Sequence, residues 1–188
     1  MREFKSQLIP PPRSSILAPT HQFDLEIGCG AGLHPILYSK QNPERHLIAI
    51  ERTFEKFQKF ENRWAKHDKP ANLIPIHDDA ISWVTHRVMD KQLLKVFILY
   101  PNPEPKNKNQ RWGHMPFLTH LHSKLADHAE LILASNIESY IDECLENFPK
   151  NGFKLKSNQA PDLPGRTHFE RKYLKNNQQC WNLVFTKA

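Results

Sequence analysis

Apolar residues in this chain fall into short runs separated by amphipathic stretches. The run at 23–27 (Phe-Asp-Leu-Glu-Ile) ends on Gly28-Cys29-Gly30-Ala31-Gly32, and a helical pattern follows from 33 to about 40. Its length and bounds predict a buried strand entering a glycine turn. Comparable runs at 46–51, 72–76, 95–100 and 130–135 predict four more strands. Phe54, Phe57, Phe60 and Trp64 recur at helical spacing and predict the core face of a helix. Another helix is expected to start near Ala80, capped by Asp78 or Asp79. Residues 116 to about 127 read as helix with an extension towards Arg111, and 137–148 as an amphipathic helix. Two last strands are expected at about 152–157 and 179–186, joined by a loop rich in Pro, Gly, Arg and Lys. Strands alternating with helices predict an α/β fold of Rossmann-like type. Its mostly parallel seven-stranded sheet would be flanked on both faces, with an antiparallel C-terminal edge where no helix separates the last strands.

Residues 1–21 break this pattern. Pro10, Pro11, Pro12 and Pro19 deny helix and ladder hydrogen bonds, so an extended arm is expected, made basic by Arg2, Lys5 and Arg13. Residues 22–188 suit one domain. A formal charge of +6 and a pI near 9.2 favour an anionic partner, with nucleic acid the leading candidate. Cys29, Cys144 and Cys180 give neither a disulfide framework nor a CxxC zinc pattern. His114, His120 and His122 read as helix-surface residues, so no metal is expected. The chain has no long apolar run and no signal-peptide segment, which predicts a soluble cytoplasmic protein. Monomer and homodimer both remain open.

In a parallel sheet the ligand lies at the carboxyl ends of the strands. Gly28 to Gly32, Glu51, Asp79, Asn102 and Asn136 all fall there. The loop spacing is GxGxG, not GxGxxG, and no Lys-Ser/Thr follows, which excludes a Walker phosphate loop. Such glycines permit positive φ and close approach of backbone to a ligand, and the following helix presents free N–H groups. An ordinary tight turn has the same needs. Glu26, unusual in a buried strand, suits a cationic ligand such as the ammonium of a methionine moiety. Glu51, about twenty residues past the glycines, is placed to accept from ribose hydroxyls. Asp79 suits an adenine amino group or a bare helix cap. A ribose acid with GxGxG fits an adenosyl ligand, S-adenosylmethionine, and so methyl transfer. Three alternate prolines in Tyr100-Pro101-Asn102-Pro103-Glu104-Pro105-Lys106 predict a stiff loop. Lys106, Lys108, Arg111 and His114 after it can hold phosphates or form a solvated basic loop.

From Phe23 to Phe185 these residues resemble the tRNA (guanine-N7) methyltransferases. LEIGCGAG matches that family's cofactor loop, Ala49-Ile50-Glu51 its Gly-Ile-Glu, Asp79-Ala80 its Asp-Ala, and YPNPEPK its PDPWPK signature. Ala134-Ser135-Asn136 with Tyr140 resembles its Ala-Thr-Asp followed by Tyr. Thr167-His168-Phe169-Glu170, followed by Arg171, resembles its Thr-x-Phe-Glu, although Thr-x-x-Glu is also a capping box. The resemblance implies S-adenosylmethionine held by Glu26, Gly28, Gly30, Gly32, Glu51, Asp79, Ala80 and Asn102, with Asn102 at the catalytic position. It implies a tRNA guanine and its backbone met by Lys106, Asn136, Thr167 and Glu170, with Arg111 from the basic run. Asn102, Glu104 and Asn136 stand where the family pattern has Asp, Trp and Asp. A carboxylate accepts on both oxygens from the N1–H and N2–H edge of guanine, whereas an amide accepts on one side only. Methyl transfer to another RNA, a protein or a small molecule, and RNA binding with weak turnover, therefore stand beside guanine methylation.

Overall fold

The computed structural model describes residues 3–187; Arg2, part of the arm's basic charge, lies outside them. Seven strands form one sheet in the order β3-β2-β1-β4-β5-β7-β6. They are β1 (Phe23–Ile27), β2 (Leu47–Glu51), β3 (Leu73–His77), β4 (Leu93–Leu99), β5 (Leu125–Ser135), β6 (Phe153–Gln159) and β7 (Trp181–Lys187). The first five are parallel, and β7 runs antiparallel to β5 and β6. The helices are α1 (Leu33–Gln41), α2 (Phe54–Lys66), α3 (Ala80–Arg87), α4 (Phe117–Lys124), α5 (Glu138–Asn147) and α6 (His168–Lys175).

The inner strands are covered on both faces, which is why β1 and β2 read as continuous buried runs. Side chains nonetheless alternate between two cores. Leu25, Ile27, Ile48 and Ile50 join Trp83, Leu118, Ile141 and Phe148 on one face. Leu47 and Ala49 join Ile36, Phe57 and Phe60 on the other. Pro75 is tolerated because β3 lies at the sheet edge.

Four sequence expectations need correction. The helix expected to about 127 stops at Lys124, and β5 starts at Leu125. Leu118, Leu121 and Leu125 are all fully buried and keep helical spacing, so the pattern runs on across a boundary where the backbone changes. The β4–β5 register then jumps from Leu93↔Leu125 to Lys95↔Glu130, five steps on β5 against two on β4. This bulge places His128 at φ 65°. Towards Arg111 there are two short 3-10 turns, Lys108–Gln110 and Trp112–His114, in place of a helical extension. The loop expected between the last strands contains α6, which Thr167-x-x-Glu170 as a capping box and Phe169 with Tyr173 at i, i+4 did signal; its one buried residue is Glu170. Phe54 is 55% exposed and leaves the α2 core face to Phe57, Phe60 and the partly buried Trp64.

Up to Phe23 the described arm has one 3-10 turn, Ser6–Leu8, and is pinned along α3. Ser82 Oγ donates to the Pro10 carbonyl (2.6 Å), Trp83 Nε1 to that of Ile16 (3.0 Å), and Ser14 N to Asp78 Oδ2 (2.7 Å). Phe4 stacks on His120 with ring centroids 4.6 Å apart. Among the described residues no helix is long and apolar enough to cross a membrane.

Candidate active site

Strand order reverses beside β1, whose neighbours are β2 and β4, so a crevice is expected between the loops that follow β1 and β4. The β1 loop leaves the strand through Gly28 N and Cys29 N, which donate to the Ile50 carbonyl at 2.8 and 3.1 Å. Gly28 and Gly30 have φ of 72° and 58°, and a Cβ added at either meets nothing within 4 Å. Their surface is open for a ligand to lie against the backbone. Gly32 differs: a Cβ there would sit 1.9 Å from the Phe60 ring, so α2 packs directly on this glycine. Glu51, 5% exposed, ties the loop to β2. Its Oε2 accepts from Gly30 N at 2.8 Å and its Oε1 from Thr53 N at 2.7 Å. Each oxygen keeps a second lone pair, which fits a ribose diol. The Cys29 thiol is pushed well up by burial, then by the Glu26 and Glu51 charges, so it stays protonated and is no nucleophile.

Glu26 is buried with His34, whose Nδ1 lies 2.7 Å from its Oε2. One oxygen of the carboxylate expected to meet a cation is therefore taken by α1, and the other has no partner among the described residues. Asp79 caps α3, its Oδ1 accepting from Ile81 N (2.9 Å) and Ser82 N (3.2 Å). Its Oδ2 lies 3.8 Å from the Arg52 guanidinium and remains accessible at the rim. Ala80 is the buried first residue of α3. Asp78 is the arm's anchor rather than the cap.

The β4 loop is conformationally constrained. Tyr100 and Glu104 adopt φ of 52° and 43°, a region side-chain-bearing residues rarely occupy. Tyr100 Oη donates to Glu170 Oε1 at 3.0 Å, and burial raises its pKa. Asn102 is exposed and turned along the loop: its Nδ2 donates to Glu104 Oε1 at 2.8 Å, and Glu104 N to Asn102 Oδ1 at 3.4 Å. Lys106 is exposed, and its ammonium has no partner among the described residues. The other basic residues are gathered by Glu143, which meets Arg111 at 2.7 Å, His114 at 3.2 Å and Lys108 at 3.3 Å. Arg111 is thus a structural ion-pair partner, its side chain only 12% exposed. Asn136, half-buried after β5, makes no side-chain hydrogen bond among the described residues.

Thr167 caps α6 by accepting from Glu170 N at 3.0 Å. Glu170 is fully buried, and both oxygens are used. Arg166 N (2.6 Å), the Arg166 guanidinium (3.0 to 3.2 Å) and Tyr100 Oη all converge on it. The structure therefore makes Glu170 a clamp between α6 and the β4 loop. The sequence reading missed His34, Tyr100 and Arg166 as partners of these acids, because a buried carboxylate announces that it needs a partner but not where the partner lies. Arg63 donates to the Ala31 carbonyl at 2.7 Å, and its pKa is lowered by burial and by nearby Arg171.

The doubly wound sheet thus carries an open glycine turn and the Glu51 carboxylate at its switch point, the frame of a methyltransferase as the family match shows. Residues 20–183 match the family model described as "Putative methyltransferase". More narrowly, the chain belongs to the tRNA (guanine-N7) methyltransferase family. It is 31% identical over 156 residues to the tRNA (guanine-N(7)-)-methyltransferase of Hyphomonas neptunium, covering 80% of this chain and 70% of that one. Identity to the corresponding protein of Chlorobium phaeobacteroides is 27% over 166 residues, 87% of this chain and 80% of the relative. A bifunctional methyltransferase of Rickettsia bellii matches over 68% of this chain but 23% of its own length. Among solved structures, the 16S rRNA methyltransferase KamB superposes with a TM-score of 0.70 at 17% identity, covering 89% and 88% of the two chains. A 16S rRNA (adenine(1408)-N(1))-methyltransferase from Catenulisporales acidiphilia, solved with cosubstrate SAM, gives 0.66 at 13% identity over 89% and 85%. These two likenesses show the fold.

Proposed function

We propose that the chain uses S-adenosylmethionine to methylate N7 of a guanine in tRNA. The observation that carries the cofactor half is the unobstructed surface over Gly28 and Gly30 beside Glu51. Glu51 would take the ribose hydroxyls, Asp79 Oδ2 the adenine amino group, and the free oxygen of Glu26 the ammonium. When bound, the cofactor supplies an electrophilic methyl group on a sulfonium. Guanine N7 carries an in-plane lone pair, so the chain need not remove a proton. Its work is to align the base and keep water out. The stiff loop Tyr100 to Lys106, clamped through Tyr100 to Glu170, suits that task. Lys106 is free to meet an RNA phosphate, and the +6 charge favours such a partner. The three free, buried cysteines suit a reducing, cytoplasmic compartment.

The amides Asn102 and Asn136 favour a second reading, transfer to a different acceptor. Both readings are tested by incubating the purified protein with unmodified tRNA transcripts and S-adenosylmethionine, then analysing digested nucleosides by mass spectrometry. New 7-methylguanosine supports the first reading. Its absence, with methyl groups appearing on another nucleoside or none, overturns it.

A further inference from the structure

The edge that distinguishes guanine from hypoxanthine or adenine is its pair of adjacent donors, N1–H and N2–H. An acceptor must face it, and an ionised carboxylate is acceptor-only, whereas an amide brings a donor as well. Few carboxylates near the crevice mouth are free for this. Asn102 and Asn136 are amides. Glu170 is fully buried with both oxygens bonded to Arg166 and Tyr100. Glu143 is occupied by three basic side chains. Glu104 remains. It is half-buried, on the loop that follows β4, and its Oε1 is held at 2.8 Å by the Asn102 amide. Its Oε2 has no partner among the described residues. The backbone beneath it is fixed by flanking Pro103 and Pro105 and by its own left-handed φ of 43°. A carboxylate locked on one oxygen and open on the other is a pre-set acceptor.

We infer that Glu104 is a specificity-determining residue: its free oxygen accepts from the 2-amino group of the target guanine, and Asn102 is the positioning residue that holds it. The inference rests on guanine being the acceptor base. It also gives the Asn102–Glu104 pair a common logic. An Asp at 102 would place two carboxylates against each other, while the amide donates to one oxygen and leaves the other open. Methylation at N7 leaves the purine cationic, and a carboxylate at the opposite edge favours that charge.

The target position is first mapped with the wild-type protein on a tRNA transcript. Ligated transcripts carrying guanosine or inosine at that position are then compared, since inosine lacks only the 2-amino group. Wild type is expected to prefer guanosine by about tenfold or more, the scale of a charged hydrogen bond. Glu104→Gln lets Asn102 hold the side-chain oxygen and turns an N–H towards the base. It should lower kcat/KM on guanosine far more than on inosine, where only the charge effect is lost, and bring the guanosine-to-inosine ratio close to one. Glu104→Ala should lose the same preference. Calorimetric binding of S-adenosylmethionine by each variant, expected to match wild type, shows that the fold is kept. Preference retained in Glu104→Gln overturns the assignment of Glu104 while leaving guanine methylation intact. A wild type that forms no 7-methylguanosine overturns both.

Discussion

Glu143 holds Arg111, Lys108 and His114 around one carboxylate, and its titration follows from that. Burial raises its pKa, but hydrogen bonds from Arg111, Lys108 and His114 outweigh burial, and the net value falls below the ordinary 4.5. A carboxyl with a depressed folded pKa adds stability that is complete above its unfolded value and lost as pH drops through the folded one. Glu143→Gln should therefore be less stable than wild type at pH 7, with the difference shrinking below about pH 4.5. Urea unfolding at several pH values reads this; a pH-independent difference would contradict it. Glu170 is a stricter case because it is wholly buried. Glu170→Gln leaves the Arg166 guanidinium without its counter-charge and should cost about 3 kcal/mol in the same assay. A change under 1 kcal/mol would show that the clamp is not what holds α6. Single residues were legible in position: Glu51 ends β2 and Asp79 caps α3, as expected. The roles of Arg111 and Glu170 were not, since each is set by a partner on another element, Glu143 in one case and Tyr100 in the other.

Among the elements, the glycine turn separates two demands that look alike in sequence. Gly30 faces open space, and Gly32 faces Phe60. Gly32→Ala should lower stability by about 1 to 3 kcal/mol through overpacking and strain. Gly30→Ala should cost less in stability yet weaken S-adenosylmethionine binding. Thermal unfolding and calorimetry on the two variants check this, and equal behaviour would contradict it. At the opposite end of β1, buried Asp24 accepts from Tyr38 Oη (2.7 Å) and Arg45 Nε (2.5 Å), a pairing with no bearing on the crevice. Arg45→Met should destabilise by about 3 kcal/mol and leave cofactor affinity unchanged. The parallel core was readable because strands buried on both faces write continuous apolar runs. The start of β5 was hidden by leucines at helical spacing and by a bulge, and α6 by its eight-residue length within a loop rich in Pro, Gly, Arg and Lys.

Taken as a whole, the molecule gathers the loops proposed to hold its ligands at the carboxyl ends of the parallel strands and threads its N-terminal arm along α3. Through hydrogen bonds to Asp78, Ser82 and Trp83 the arm braces the helix that Asp79 caps. Charge acts at this scale too. If tRNA is held through its phosphates, log affinity should fall linearly with log salt; an unchanged affinity between 50 and 200 mM salt, roughly the range over which phosphate contacts weaken, would contradict phosphate-led binding. All of this depends on the crevice between the β1 and β4 loops taking S-adenosylmethionine. The most direct measurement is calorimetric titration of the wild-type protein and Glu51→Gln with that compound. Wild type should bind one equivalent, and Glu51→Gln, with a ribose acceptor lost, should bind at least about tenfold more weakly. A wild type that takes up none, or a Glu51→Gln protein that binds equally well, would contradict it.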